Sequence, residues 1–188
     1  MNKIKSVSFY VARILDILVI ALPVFIILEW IFIDLAFIAN QTLFSHSSST
    51  VTIRNELIHL NQVAWVPLTQ FIGCIAQIIE FGPFLGILYF LSKIFHRYKV
   101  GQIFTLANAQ CYYQIGKLLF FDALLAQPIS GCLWVLAVTL SHAPGKRYMS
   151  FTIGTPNIMA ILMGLLVVFI SWVMIEGSTI QDEQQLII

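Results

Sequence analysis

Four carboxyl groups stand where side chains that avoid water are otherwise the rule. Glu29 and Asp34 interrupt the aliphatic and aromatic stretch ILEWIFIDLAF, residues 27–37; Glu80 sits near the middle of a second apolar run and Asp122 early in a third. An ionised side chain at the centre of a bilayer costs at least ~2.5–3.5 kcal/mol on insertion scales, so each needs a partner or a task. Two chemistries suit these residue types. In one, the amides of Gln70, Gln77, Gln127 and Asn157 hydrogen-bond the carboxyls across neighbouring helices, as glue. In the other, Glu29 and Glu80 line a path for protons or cations, and Pro23, Pro83 and Pro128 each free a backbone carbonyl one turn earlier. Asp16 and Asp34 lie about five whole turns apart and share a helix face, with Glu29 roughly 140° around from both, so one face cannot serve all three. Glu29, Asp34, Glu80, Asp122, Gln77 and Gln127 form the candidate polar network. The glue reading is favoured, because four helices leave little room for a substrate cavity.

Catalysis has no comparable support. There is no GxSxG, HExxH, phosphate loop or GxGD aspartyl motif, and serine and histidine combine only across separate outer segments, so a nucleophile with its base cannot be argued. The chain is expected not to be an enzyme and to need no cofactor. His46, His59 and His142 lack metal-ligand spacing, so no metal site is expected, and Cys74, Cys111 and Cys132 form no CxxC pair.

The elements that must position these groups follow from hydropathy. Of 188 residues, 59% are hydrophobic and only 10% charged, with a mean hydropathy of +0.89; a soluble domain carries about 25% charged residues. Four apolar runs, roughly 14–39, 67–91, 118–141 and 154–175, reach the ~20 residues needed to cross a ~30 Å hydrocarbon core. The short alternating segments of a β-barrel are missing. The fold class expected is all-α: a polytopic membrane protein with four transmembrane helices in a bundle, short interfacial helices in the connections, and a single domain over 1–188. The first run is too long and too acidic for a cleaved signal peptide.

Charge placement sets the orientation. Lys3, Lys5, Arg13, Lys93, Arg97, Lys99 and Lys117 flank one side, against Arg54, Lys146 and Arg147 on the other. That asymmetry places both termini in the cytoplasm. A net charge of +1 gives no reason to expect direct nucleic-acid binding. In the outer connection, 40–66, Leu57, Ile58, Leu60 and Val63 suggest a short interfacial helix ending at Trp65. In the cytoplasmic connection, 92–117, Gly101 can supply a tight turn, and Thr105 an N-cap with Phe104 as staple. Leu106, Ala109, Tyr113 and Leu118 then suggest a helix running along the interface into span 3. Thr155 and Pro156 suit the start of span 4. The short outer residues 142–153 hold spans 3 and 4 as antiparallel neighbours. A cytoplasmic tail, 176–188, follows.

The stretches GQIFTLANAQ and IGKLL, with the terminal EGSTIQDEQQLII, resemble the YoaS-like family of small four-span bacterial membrane proteins, a domain of unknown function. The likeness covers about residues 92–188 and does not reach Glu29 or Asp34. It implies four helices in a bacterial cytoplasmic (inner) membrane. Such families are often encoded beside a small helix-turn-helix regulator, which points to signalling. The function expected is that of an accessory or regulatory protein. It would bind a cytoplasmic or membrane protein through Arg97, Lys99, Phe104, Asn108, Asp182, Glu183 and Leu186. The alternative is a subunit of a small transporter or channel using Glu29 and Glu80. The lipid bilayer, and a second copy of the chain, complete the partners considered.

Overall fold

A computed structural model of the chain describes residues 2–31, 50–53, 56–59, 66–141 and 158–186. Helix α1 covers Asn2–Ile31. Strands β1 (Thr50–Ile53) and β2 (Glu56–His59) follow, then α2 (Pro67–Val100) and α3 (Leu106–Phe121). A π turn over Asp122–Ala126 leads into α4 (Gln127–Ser141), and α5 spans Ile158–Leu186. Among the described residues, four segments are long and apolar enough to cross a membrane: Lys5–Ile31, Pro67–Val100, Leu106–Ser141 and Ile158–Ile180. The helical membrane architecture expected from the four runs is the one adopted.

The helix ends are written in local chemistry. Pro67 opens α2 at the position where a missing N–H costs nothing. Thr69 reaches back, its Oγ1 accepting from the Val66 N–H at 3.0 Å. At the other end Gly101, at φ +92°, donates to the Tyr98 carbonyl while Gln102 donates to that of Arg97. This pair of bonds is a Schellman stop, which requires the left-handed residue that glycine supplies. Thr105, in extended backbone, then caps α3 and accepts from the Asn108 N–H at 3.3 Å. Pro128 has no N–H to offer Leu124, and the chain widens into the π turn just before it.

One expectation is corrected. Strands β1 and β2 pair antiparallel, with Val51 opposite Ile58 and Thr52 opposite Leu57, where an interfacial helix was expected from Leu57 and Ile58. The β-branched run Thr50–Ile53 favours an extended chain and gives the second segment a strand to pair with. Leu60, Val63 and Trp65 lie outside the described residues. The connection leading to span 3 carries the expected helix capped by Thr105, which continues through the π turn into α4.

The chain divides into two compact units. Unit 1 comprises Met1–Leu22, Gly82–Leu124 and Pro156–Ile188. Within it α3 and α5 pack closely and antiparallel: Phe104 meets Gly177, Ser171 donates to the Ala109 carbonyl at 2.9 Å, and Gly116 faces Gly164. A Cβ on Gly116 would lie 2.5 Å from Val168 Cγ2 and 3.0 Å from the Gly164 carbonyl oxygen, so the backbones approach only because both positions are glycine. Ile94, Cys111 and Ile115 form the core, flanked by Ile87, Phe90 and Val167. Unit 2 comprises Pro23–Phe81 and Leu125–Thr155, and its packing centres on tryptophan.

Candidate functional site

In unit 2, Gly73, Gln77 and Glu80 recur at the four- and three-residue spacing that puts them on one face of α2. Gly73 makes room for an indole, since a Cβ there would collide with the Trp30 ring. Trp30, from the last turn of α1, donates its ring N–H to the Gln77 carbonyl oxygen. The Gln77 amide in turn donates to Glu29 Oε2 at 3.0 Å. From α4, Trp134 donates to Glu80 Oε2 at 3.0 Å and stacks on Trp30, with centroids 5.9 Å apart and planes at 27°. The result is a continuous chain, Glu29–Gln77–Trp30–Trp134–Glu80, with a carboxyl at each end.

The electrostatics are unusual for a membrane-spanning segment. Each carboxyl receives one neutral N–H donor, and among the described residues neither forms an ion pair. Both glutamates are exposed, whereas Trp134 is buried. Such groups can take up a proton or a cation, or be covered by a polar group from another chain. Neither has a nucleophile or base in hydrogen-bond reach among the bonds just described.

Unit 1 holds a second polar cluster. Asp16 of α1 accepts from the Ser92 hydroxyl at 2.5 Å and lies 3.4 Å from His96 Nε2; His96 Nδ1 is 3.0 Å from the Ser92 carbonyl. Beyond it, Arg97 is folded inward. Its Nη1 donates to the Ala107 carbonyl at 2.7 Å, to Asn108 Oδ1 at 3.2 Å and to Cys111 Sγ at 3.3 Å. Asn108 Nδ2 donates to the carbonyls of Gln102 and Ile103, both at 2.8 Å.

The expected site residues thus separate. Glu29, Gln77 and Glu80 are joined into one chain. Asp122 is half-buried at the start of the π turn and Gln127 opens α4. Asp34 lies outside the described residues. Of the residues expected to face a partner, Asn108 is corrected: it is 0% exposed, and its side chain is engaged within unit 1. Arg97 is committed to the same knot. Lys99 is exposed, its ammonium 4.7 Å from the Phe9 centroid, and Phe104 lies beside Gly177 yet is 51% exposed. Asp182, Glu183 and Leu186 fall within α5, their side chains outside the described set.

Sequence reasoning missed Trp30, Trp134, Ser92 and His96. For Ser92 and His96 a signal existed: a hydroxyl and an imidazole four apart on one helix face, at an end rich in charge. The tryptophans carried none, since an indole within an apolar run reads as filler.

Residues 7–188 match the model of a family described as protein of unknown function (DUF2975). The chain belongs to that family. The match takes in both units, so Glu29 and Glu80 fall inside it, a wider reach than the resemblance confined to residues 92–188. No curated protein and no solved structure matches the chain.

Proposed function

We propose that this member of the DUF2975 family is a non-enzymatic accessory protein of a bacterial inner membrane, YoaS-like and with both termini in the cytoplasm. It holds a protein partner, and the partner's contact lies within the bilayer. The observation that supports this is the condition of Glu29 and Glu80. Each is exposed on a spanning helix and receives one neutral donor, which leaves carboxyl oxygen facing a medium where polar exposure is costly. A polar helix from a partner, or from a second copy of this chain, would cover both. The inward commitment of Arg97 and Asn108 draws the reading away from the cytoplasmic connection, where Lys99 and Phe104 remain as a smaller contact for a regulator.

A photo-crosslinking residue in place of Glu80, in full-length protein and native membranes, tests it. The expected product is a discrete adduct with one protein or with a second copy. Lipid adducts alone would sink the proposal.

The same cluster supports a second reading, a transporter or channel subunit in which the two carboxyls pass a proton or cation along the tryptophan pair. Reconstituted liposomes separate the two: a transporter loses flux on Glu80→Gln, whereas an accessory protein has none to lose.

A further inference from the structure

Lys5, Phe9 and Arg13 repeat every fourth residue and form a stripe along α1 about 12 Å long. Lys99, from the last turn of α2, completes a cluster on it. Its ammonium lies 4.7 Å from the Phe9 ring centroid, and the Arg13 guanidinium carbon lies 5.0 Å from the same centroid. The Lys5 stem crosses the turn after α2, where a Cβ on Gly101 would lie 3.2 Å from its Cε and 3.5 Å from its Nζ. Two cations therefore lie over one aromatic ring, and a third, Lys5, stands one turn of α1 away, all within unit 1.

Among the described residues their charge is not balanced locally. The carbonyl end of α2 contributes roughly half a negative charge. Asp16, one turn beyond Arg13, has its oxygens engaged by Ser92 and His96. Arg97, the other cation of α2's last turn, points into the knot around Asn108. Three formal positive charges against these terms leave more than one uncompensated.

The same face of α1 then changes character. Ile17 and Ile20 follow Arg13 at helical spacing and are 60% and 69% exposed. A basic stripe with an aromatic floor, continued by a bare aliphatic one along the same axis, has the polarity profile of a phospholipid standing beside the helix. A free phosphate would use only the first part.

We propose that Arg13 and Lys99, which lie over the Phe9 ring, together with Lys5 one turn away, bind the phosphate headgroup of an anionic phospholipid, with its acyl chain laid along Ile17 and Ile20. Lys5 and Lys99 hold the headgroup by charge, and Arg13, deeper along the helix, reaches the phosphate by snorkelling. Phe9 fixes the spacing of the cations that lie over it.

The test uses full-length protein in neutral detergent, titrated with phosphatidylglycerol or phosphatidylcholine. Thermal melting and lipid retention in native mass spectrometry are the readouts. Phosphatidylglycerol is expected to stabilise at lower concentration, with about fivefold of preference lost for each cation neutralised in K5Q, R13Q and K99Q. Inorganic phosphate at equal concentration is expected to leave melting unchanged. If it matches the lipid, the lipid assignment is wrong. K93Q and K117Q, whose ammonium groups lie over Tyr89 and Tyr113 of their own helices, should keep the preference. Each single variant leaves two cations in place. A wild-type chain indifferent to headgroup charge, or K5Q and K99Q variants with undiminished preference, overturns the proposal.

Discussion

Gln77 is the residue on which the unit 2 cluster turns, because it is acceptor to Trp30 and donor to Glu29 at once. Replacing it with Leu preserves the apolar bulk and removes both bonds, leaving an indole N–H and a carboxyl without that partner. Hydrogen bonds between membrane helices average about 0.6 kcal/mol and reach roughly 1.7, so the pair should be worth about 1–2 kcal/mol. Gln77→Leu is expected to lower the melting temperature in detergent, while Gln77→Glu, which keeps an acceptor for Trp30, should lose less at acidic pH. Equal melting of wild type and the Leu variant would show the chain of bonds to be incidental. At this scale the sequence was legible where a residue was out of place. Glu29, Glu80 and Gln77 drew notice because polarity is costly in hydrocarbon. Trp30 and Trp134, which belong there, became visible only when their N–H groups had acceptors. Asn108 was misjudged for the opposite reason: polarity in a connection reads as solvent exposure, yet its amide is spent on two backbone carbonyls.

Among the elements, α3 and α5 depend on each other through glycine. Gly116→Ala would place a methyl group 2.5 Å from Val168 Cγ2 and 3.0 Å from the Gly164 carbonyl oxygen. The first clash is with a side chain, the second with backbone. Overpacking of this kind costs about 1–3 kcal/mol. Gly116→Ala is expected to destabilise the full-length protein by that amount, and Val168→Ala added to it should return only part of the loss. A thermal double-mutant cycle measures the split; complete rescue would mean the backbones can part freely. Element ends were readable in advance wherever one residue type has one use, as with Thr105 at an N-cap and Gly101 in a left-handed turn. The pairing of β1 with β2 was not, because Glu56–His59 reads as half of an amphipathic helix until Thr50–Ile53 is weighed as its neighbour. The closeness of α3 and α5 escaped notice as well, since Gly116 and Gly164 lie in separate runs with no motif between them.

For the molecule as a whole, hydropathy carried most of the fold: four long apolar runs leave little other than four spanning helices. Much of the apolar surface stays bare, with Ile20, Met159 and Trp172 among the large side chains more than half exposed, as a lipid-facing protein requires. The orientation rests on charge asymmetry alone and is open to direct measurement. With Cys74, Cys111 and Cys132 replaced, a single cysteine at Lys99 should resist a membrane-impermeant thiol reagent in intact cells, and one at Lys146 should react. The reverse pattern would invert the protein. No sequence pattern separates a face that lipid covers from one that another helix covers, because exposed aliphatic faces look alike in both cases.

The knot of Arg97 and Asn108 also has a meaning in time. Its bonds join residues 10, 11 and 14 apart, whereas the Ser171 bond to Ala109 spans 62. During synthesis the short loop can close as soon as the first turns of α3 have left the ribosome. The α5 contact must wait for most of the remaining chain, and closing the longer loop costs roughly 1–2 kcal/mol more in chain entropy. The α2–α3 corner is therefore expected to be finished first and to act as the template on which α5 later docks. On ribosomes stalled before α5 is made, Cys111 should already react slowly with a thiol reagent, and Asn108→Ala should restore fast reaction.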